Sequence, residues 1–224
     1  MSRRPLALVL SNDVPDSDYG ARHLAAAFEA AFDTGIVEPL DGVAAVRARL
    51  SEGRVQALVL SGSDRSVNLS LQWMQEEQDL LRDAVAARVP TLAVCFGHQL
   101  LGVAFGAGVV TRNKRTGLFD IELVGRDPLF DGLGPRAVVP EQHRDQLDRL
   151  PKGFELTATS DYCRIQAMRH ESAPVYGVQF HPCYGDDVFD ADDEWAATPL
   201  RGRFAHDGGR VLSNAVALFR KLVG

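Results

Sequence analysis

The chain has 224 residues, of which 46% are hydrophobic and 24% charged, with a formal net charge of −6. This is the composition of an ordinary globular protein, and the length suits one sizeable α/β domain spanning 1–224. The acidic balance, with no basic cluster longer than Arg112-Asn113-Lys114-Arg115, argues against nucleic acid or a membrane surface as partner, and no apolar stretch approaches a membrane span.

In chain order, the first half alternates short apolar runs with helical patterns, the mark of parallel βαβ units. The patterns predict a strand over 5–11, a helix over 20–32, a strand over 36–39, a helix over 43–50 and a strand over 55–61. A long helix over 71–88 follows, with Trp73, Leu80, Leu81 and Val85 on one face, then a buried strand over 91–94 and a helix over 99–105. Beyond Gly106 the runs become shorter and turn-rich. Strands are predicted over 109–112, 117–124, 137–140, 154–159, 165–169 and 175–180, as antiparallel additions to the sheet, before a last helix over 209–222. The expected fold class is therefore α/β: an open, mixed, mostly parallel sheet flanked by helices. The N-terminal residues Met1-Ser2-Arg3-Arg4-Pro5 pass into a strand rather than a signal peptide, and three cysteines do not suggest a disulfide framework. A cytoplasmic location is expected.

Thr91-Leu92-Ala93-Val94-Cys95-Phe96-Gly97-His98-Gln99 puts a cysteine at a strand-to-helix turn. Such a turn displays a nucleophile, and the helix N-terminus favours its thiolate. A lone cysteine in an apolar run is ordinarily a buried small hydrophobe. Tyr176-Gly177-Val178-Gln179-Phe180-His181-Pro182 supplies the complementary base, a histidine at a strand end fixed by the following proline. Cys95 and His181 can meet only through the fold, as is normal for a Cys-His pair.

Four blocks, in order, resemble the class I glutamine amidotransferases, most closely their GMP synthase branch. They are Leu58-Val59-Leu60-Ser61-Gly62-Ser63-Asp64-Arg65-Ser66-Val67, similar to the family's oxyanion loop; the Cys95 turn; Glu141-Gln142-His143-Arg144-Asp145 with Leu150-Pro151-Lys152-Gly153-Phe154 behind it; and the His181 strand end. The resemblance covers nearly the whole chain and implies a flavodoxin-like fold. It implies Cys95 as nucleophile and His181 as proton shuttle. Backbone N–H groups of Phe96 and of Gly62 or Ser63 would serve as the oxyanion cradle, with Gln99 and His143 shaping the glutamine pocket. Gln99 and His143 read equally well as structural hydrogen-bonding residues. No cofactor is expected.

The chain departs from the family two residues after His181. The family has His-Pro-Glu, and this sequence has His181-Pro182-Cys183. A neutral thiol cannot stabilise an imidazolium as a carboxylate does. Three outcomes stay open: Asp186 or Asp187 replaces the glutamate, the site runs as a dyad, or it has lost glutaminase activity. Next to it, six of the nine positions 186–194 are acidic. A solvated surface, a lid, a metal-binding loop and a surface for a basic partner all remain open for this stretch, but the spacing is not that of an EF-hand, and no metal is expected.

Two classes of function follow. One is a glutaminase that hydrolyses glutamine or a related γ-glutamyl amide and supplies ammonia to a separate synthetase subunit. The other is a silent paralogue that serves as a binding or regulatory module. A homodimer is left open.

Overall fold

The computed structural model describes residues 4–12, 19–191, 195 and 205–224. The strands are β1 (Leu6–Leu10), β2 (Asp33–Val37), β3 (Ala57–Leu60), β4 (Thr91–Val94), β5 (Val109–Leu123), β6 (Arg136–Leu147), β7 (Phe154–Thr159), β8 (Ala167–His170) and β9 (Val175–Val178). The helices are α1 (Tyr19–Phe28), α2 (Pro39–Ser51), α3 (Gln72–Ala86), α4 (Phe96–Ala104), α5 (Asp186–Ala191) and α6 (Gly208–Val223). Among the described residues the strands form one nine-stranded sheet in the order β2-β1-β3-β4-β9-β8-β7-β5-β6. The first five are parallel and the rest antiparallel, so the expected mixed α/β sheet with antiparallel additions is what forms.

The central strands are apolar throughout because both their faces are covered. Alternation along each strand sends neighbouring side chains to opposite cores. Ala7, Val9, Ala57, Val59, Leu92 and Val94 join the cluster that includes Phe28 of α1 and Phe219 of α6. Leu8, Leu10, Leu58, Leu60 and Ala93 join the cluster under α2, α3 and α4, with Val46, Trp73, Leu81 and Phe96. Parallel register then aligns β3, β4 and β9 so that their carboxyl ends share one edge, where open α/β sheets place their sites.

The largest differences from the sequence expectations lie in α4, in the β5–β6 hairpin and in the acidic stretch. Helix α4 starts at Phe96, directly after Cys95, because the Gln99 N–H already closes a first turn onto the Cys95 carbonyl at 3.0 Å. The runs over 109–112 and 117–124 are one strand, β5, interrupted by a bulge between Thr111 and Arg115. Its partner β6 runs on past Pro140 to Leu147, which puts the Glu141–Asp145 block on a strand. Long pairing in this hairpin overrides a polar sequence that shows little alternation. In the acidic stretch, α5 forms where no regular element was expected, and Val188 and Phe189 pack with Trp195. The expectation for positions 192–194 lies outside the described residues.

Helix α4 lies hard against β3. A Cβ on Gly97 would sit 2.8 Å from the Leu60 Cβ and 3.1 Å from the Leu60 carbonyl oxygen. Backbone cannot yield as a side-chain tip can, so Gly97→Ala is expected to destabilise the protein by about 1–3 kcal/mol. Urea denaturation checks this, and an unchanged midpoint would refute it.

Candidate active site

Three strand ends build the site. Cys95 follows β4, with its N–H donating to the Val178 carbonyl at 2.8 Å, which ties the turn to β9. Its backbone is held at φ 50°, ψ −103°, a conformation that a residue with a Cβ adopts only under constraint. The Gly97 N–H donates to the Ser61 carbonyl at 3.3 Å and ties the same turn to β3. The thiol is buried, and the Gln179 amide donates to its Sγ at 3.6 Å.

Gly62 follows β3 and leaves no room for a side chain. A Cβ there would meet the Cys95 Cβ at 3.6 Å and the His181 Cε1 at 2.9 Å, so one point beside Gly62 touches both residues of the pair. Among the described residues the backbone N–H groups of Gly62, Ser63 and Phe96 donate to no acceptor. Three unpaired donors thus lie in the two turns that meet beside Cys95, one of them at a helix N-terminus. That is the arrangement needed to receive a developing oxyanion.

His181 follows β9, and its N–H donates to the Pro140 carbonyl at 2.8 Å. The ring stacks on Tyr184, with centroids 4.1 Å apart and planes 18° apart. Burial pushes the imidazole down to about 3 and nearby His143 adds to this, while a hydrogen bond to the Gln142 backbone opposes it. That bond occupies one ring nitrogen, and Nε2 has no hydrogen-bond partner among the described residues. Trp195 Nε1 donates to the Gln142 side chain at 3.1 Å, and its ring meets Tyr184 edge-on at 6.1 Å. The aromatic wall behind the histidine is therefore made by Tyr184 and Trp195, the residues on either side of the acidic stretch.

A cavity of about 260 Å³ opens in front of Cys95, with Ser63, Gln99, His143, Lys114 and Arg144 in its walls. Gln99 reaches it, yet its amide nitrogen is engaged by the Asp145 carbonyl at 2.8 Å and by Gln179 at 3.3 Å. His143 is held between the Glu141 carboxylate and the Asp145 carbonyl, both at 3.2 Å. The Asp145 carboxylate in turn accepts from Thr111 at 2.7 Å and from Ser66. Polar groups in the cavity are thus fixed before any ligand arrives.

Among the described residues no carboxylate is an influence acting on His181. Asp187 is instead paired with His23 of α1 at 2.8 Å, and Asp186 shares the first turn of α5 with it. Cys183 is buried, is in no disulfide among the described residues, and packs in the core cluster with Phe180 and Tyr184. Among the described residues no group of three or more His, Cys, Asp or Glu side chains could hold a metal ion. Sequence patterns missed Gln142, Gln179 and Tyr184 as neighbours of the pair. Tyr184 carried a usable signal, an aromatic residue three positions beyond the histidine.

The glutamine amidotransferase class-I family model matches residues 36–190. A subunit of the glutamine-hydrolysing GMP synthase from Pyrococcus furiosus is 36% identical over 146 residues, covering 64% of this chain and 71% of that protein. Its counterpart from Methanothermobacter thermautotrophicus is 42% identical over 95 residues, 42% of this chain, and the matched region spans only 51% of that protein. Among solved structures, a glutamine amidotransferase from Thermotoga maritima superposes with a TM-score of 0.68 at 18% identity, covering 99% of this chain and 94% of that one. One from Methylobacillus flagellatus gives 0.71 at 19% identity, covering 100% and 96%. At such identities the superpositions speak for the fold.

The positive φ at residue 95 reverses the usual order of small residues. Cys95→Gly is expected to be more stable than Cys95→Ala by about 1 kcal/mol, since glycine alone is unstrained there. Thermal unfolding of the two variants checks this, and equal or opposite stabilities would remove the strain from the account.

Proposed function

The chain belongs to the class-I glutamine amidotransferases, and on that premise we propose that it hydrolyses the side-chain amide of glutamine, or of a related γ-glutamyl amide, and supplies the ammonia to a separate synthetase subunit in the cytoplasm. The observation that carries this reading is the set of unpaired N–H groups of Gly62, Ser63 and Phe96 around the strained Cys95. Relatives named as one subunit of a glutamine-hydrolysing GMP synthase support a separate partner.

Burial keeps His181 neutral, which leaves the imidazole able to take up a proton. The Gln142 carbonyl takes the ring N–H and leaves Nε2 as the base. As Sγ bonds to the amide carbon, its proton passes to Nε2, and the carbonyl oxygen becomes an oxyanion facing the free N–H groups. Collapse breaks the C–N bond, and the imidazolium gives its proton to the departing nitrogen, releasing ammonia and leaving a γ-glutamyl thioester. Water gives a proton to Nε2 as it attacks the thioester carbon; the C–S bond then breaks, Sγ takes that proton back from the imidazolium, and glutamate leaves. Tyr184 and the Gln142 carbonyl orient the ring in this scheme, in place of a carboxylate. Gln99 and His143 shape the pocket through the bonds that hold them.

The absence, among the described residues, of a carboxylate influence on His181 favours a second reading, a pocket kept for binding with little or no turnover. Mass spectrometry after exposure to a diazo-ketone analogue of glutamine, with Cys95→Ser as control, separates the two. An adduct at Cys95 together with glutamate release from glutamine supports the enzyme. If neither is seen with the synthetase subunit present, the enzyme reading fails.

If position 183 is where the orienting acid belongs, Cys183→Glu places a carboxylate beside the imidazole and raises its affinity for a proton. kcat/KM for glutamine at neutral pH is expected to rise roughly tenfold or more. A folded variant with unchanged kcat/KM would show that the site works without that acid by design.

A further inference from the structure

Helix α3 carries an acid where its pattern calls for an apolar residue. Glu77 lies one turn after Trp73 and one turn before Leu81, in the middle of the buried stripe of α3, and it is fully buried. Desolvation pushes its carboxyl up to about 8, and the one opposing influence is a hydrogen bond from Asn12. A buried acid with no cation at hand is costly, and leucine would be more stable there. The mechanism above makes no use of it.

The contacts of Glu77 lead to the oxyanion loop. Asn12, also fully buried, follows β1. In one orientation its amide donates to the Ser61 carbonyl at 3.3 Å, and turned over it donates to the Glu77 carboxyl oxygens at 2.9 and 3.3 Å. Its backbone N–H donates to the Ser61 hydroxyl at 2.8 Å, and that hydroxyl donates to the Gly62 carbonyl at 3.0 Å. In a trans peptide the C=O and N–H point in opposite directions. Holding the Gly62 carbonyl therefore fixes where the Ser63 N–H points, and that N–H is one of the unpaired donors beside Cys95.

We propose that Glu77, acting through Asn12 and Ser61, is a positioning residue that sets the Gly62–Ser63 peptide as an oxyanion donor. Serine at position 63 gives this its purpose. A Gly-Gly loop relaxes freely into either peptide orientation, whereas a residue with a Cβ is restrained, so the orientation has to be imposed from behind. Ser61 is the contact that imposes it, Asn12 the spacer, and Glu77 the anchor on a rigid helix. The inference rests on the proposed hydrolysis at Cys95.

The test compares Glu77→Leu, Glu77→Gln and Ser61→Ala with wild type in four measurements. These are kcat and KM for glutamine, the affinity for glutamate γ-semialdehyde, the rate of Cys95 alkylation by iodoacetamide, and thermal stability. The aldehyde forms a hemithioacetal whose oxygen occupies the oxyanion position, whereas iodoacetamide reacts at a saturated carbon and needs no such cradle. Glu77→Leu and Ser61→Ala are expected to lose roughly tenfold to a hundredfold in kcat and in aldehyde affinity. KM and the iodoacetamide rate should stay within about twofold, while Glu77→Gln, which keeps the hydrogen bond, retains kcat. Glu77→Leu should be no less stable than wild type, which a merely structural role would not allow; should it fail to fold, Ser61→Ala decides. Unchanged kcat and aldehyde affinity in the folded variants, or an iodoacetamide rate that falls in step with kcat, would overturn the inference. A wild type that binds the aldehyde but releases no glutamate from glutamine defeats the hydrolytic reading alone, and the aldehyde affinities then decide this one. A wild type that binds no aldehyde defeats both.

Discussion

The turn at Cys95 is pinned from both sides, and the rest of the site depends on it. Its N–H is spent on Val178 of β9, and two residues later the Gly97 N–H is spent on Ser61 at the end of β3. Those two bonds hold the cysteine in a positive-φ conformation that the residue would otherwise leave. They also lock the spacing between the loops that follow β3 and β9, which carry Gly62 and His181. Nothing in the site can be adjusted singly, because Cys95, His181 and the Gly62–Ser63 loop hang from adjacent parallel strands.

Burial sets the electrostatics. The chain is acidic overall, yet His181 and Glu77 are both driven toward their neutral forms by desolvation. The polar groups in and behind the site are oriented dipoles: backbone N–H groups with no acceptor among the described residues, a carbonyl on the imidazole, an amide against a carboxylic acid. Dipoles held in place by a rigid scaffold require no reorganisation when charge appears, which suits a short-lived oxyanion better than mobile full charges would.

The central strands were legible in sequence because burial on both faces forces unbroken apolar runs such as Leu6–Leu10 and Ala57–Leu60. Thr91–Val94 and the cysteine after it were legible for the same reason, reinforced by the glycine turn. The long β5–β6 hairpin was not, because Arg112, Asn113 and Lys114 interrupt any alternation and the pairing is supplied by distant residues. Helix α5 hid inside an acidic run, where the buried Val188 and Phe189 look like exceptions in a solvated loop. Glu77 was hidden most effectively. In Gln75-Glu76-Glu77-Gln78 it reads as one more charge on a wet helix face, and only the packing of α3 reveals it as fully buried.

The positive-φ Cys95 and the buried Glu77 are both places where a simpler residue would sit more comfortably: a glycine in the first case, a leucine in the second. A library of this chain sorted for heat resistance alone would therefore enrich the variants that had lost them. The most robust descendants would be the ones with an empty elbow and a slack loop, and durability would be a poor guide to which copies still work.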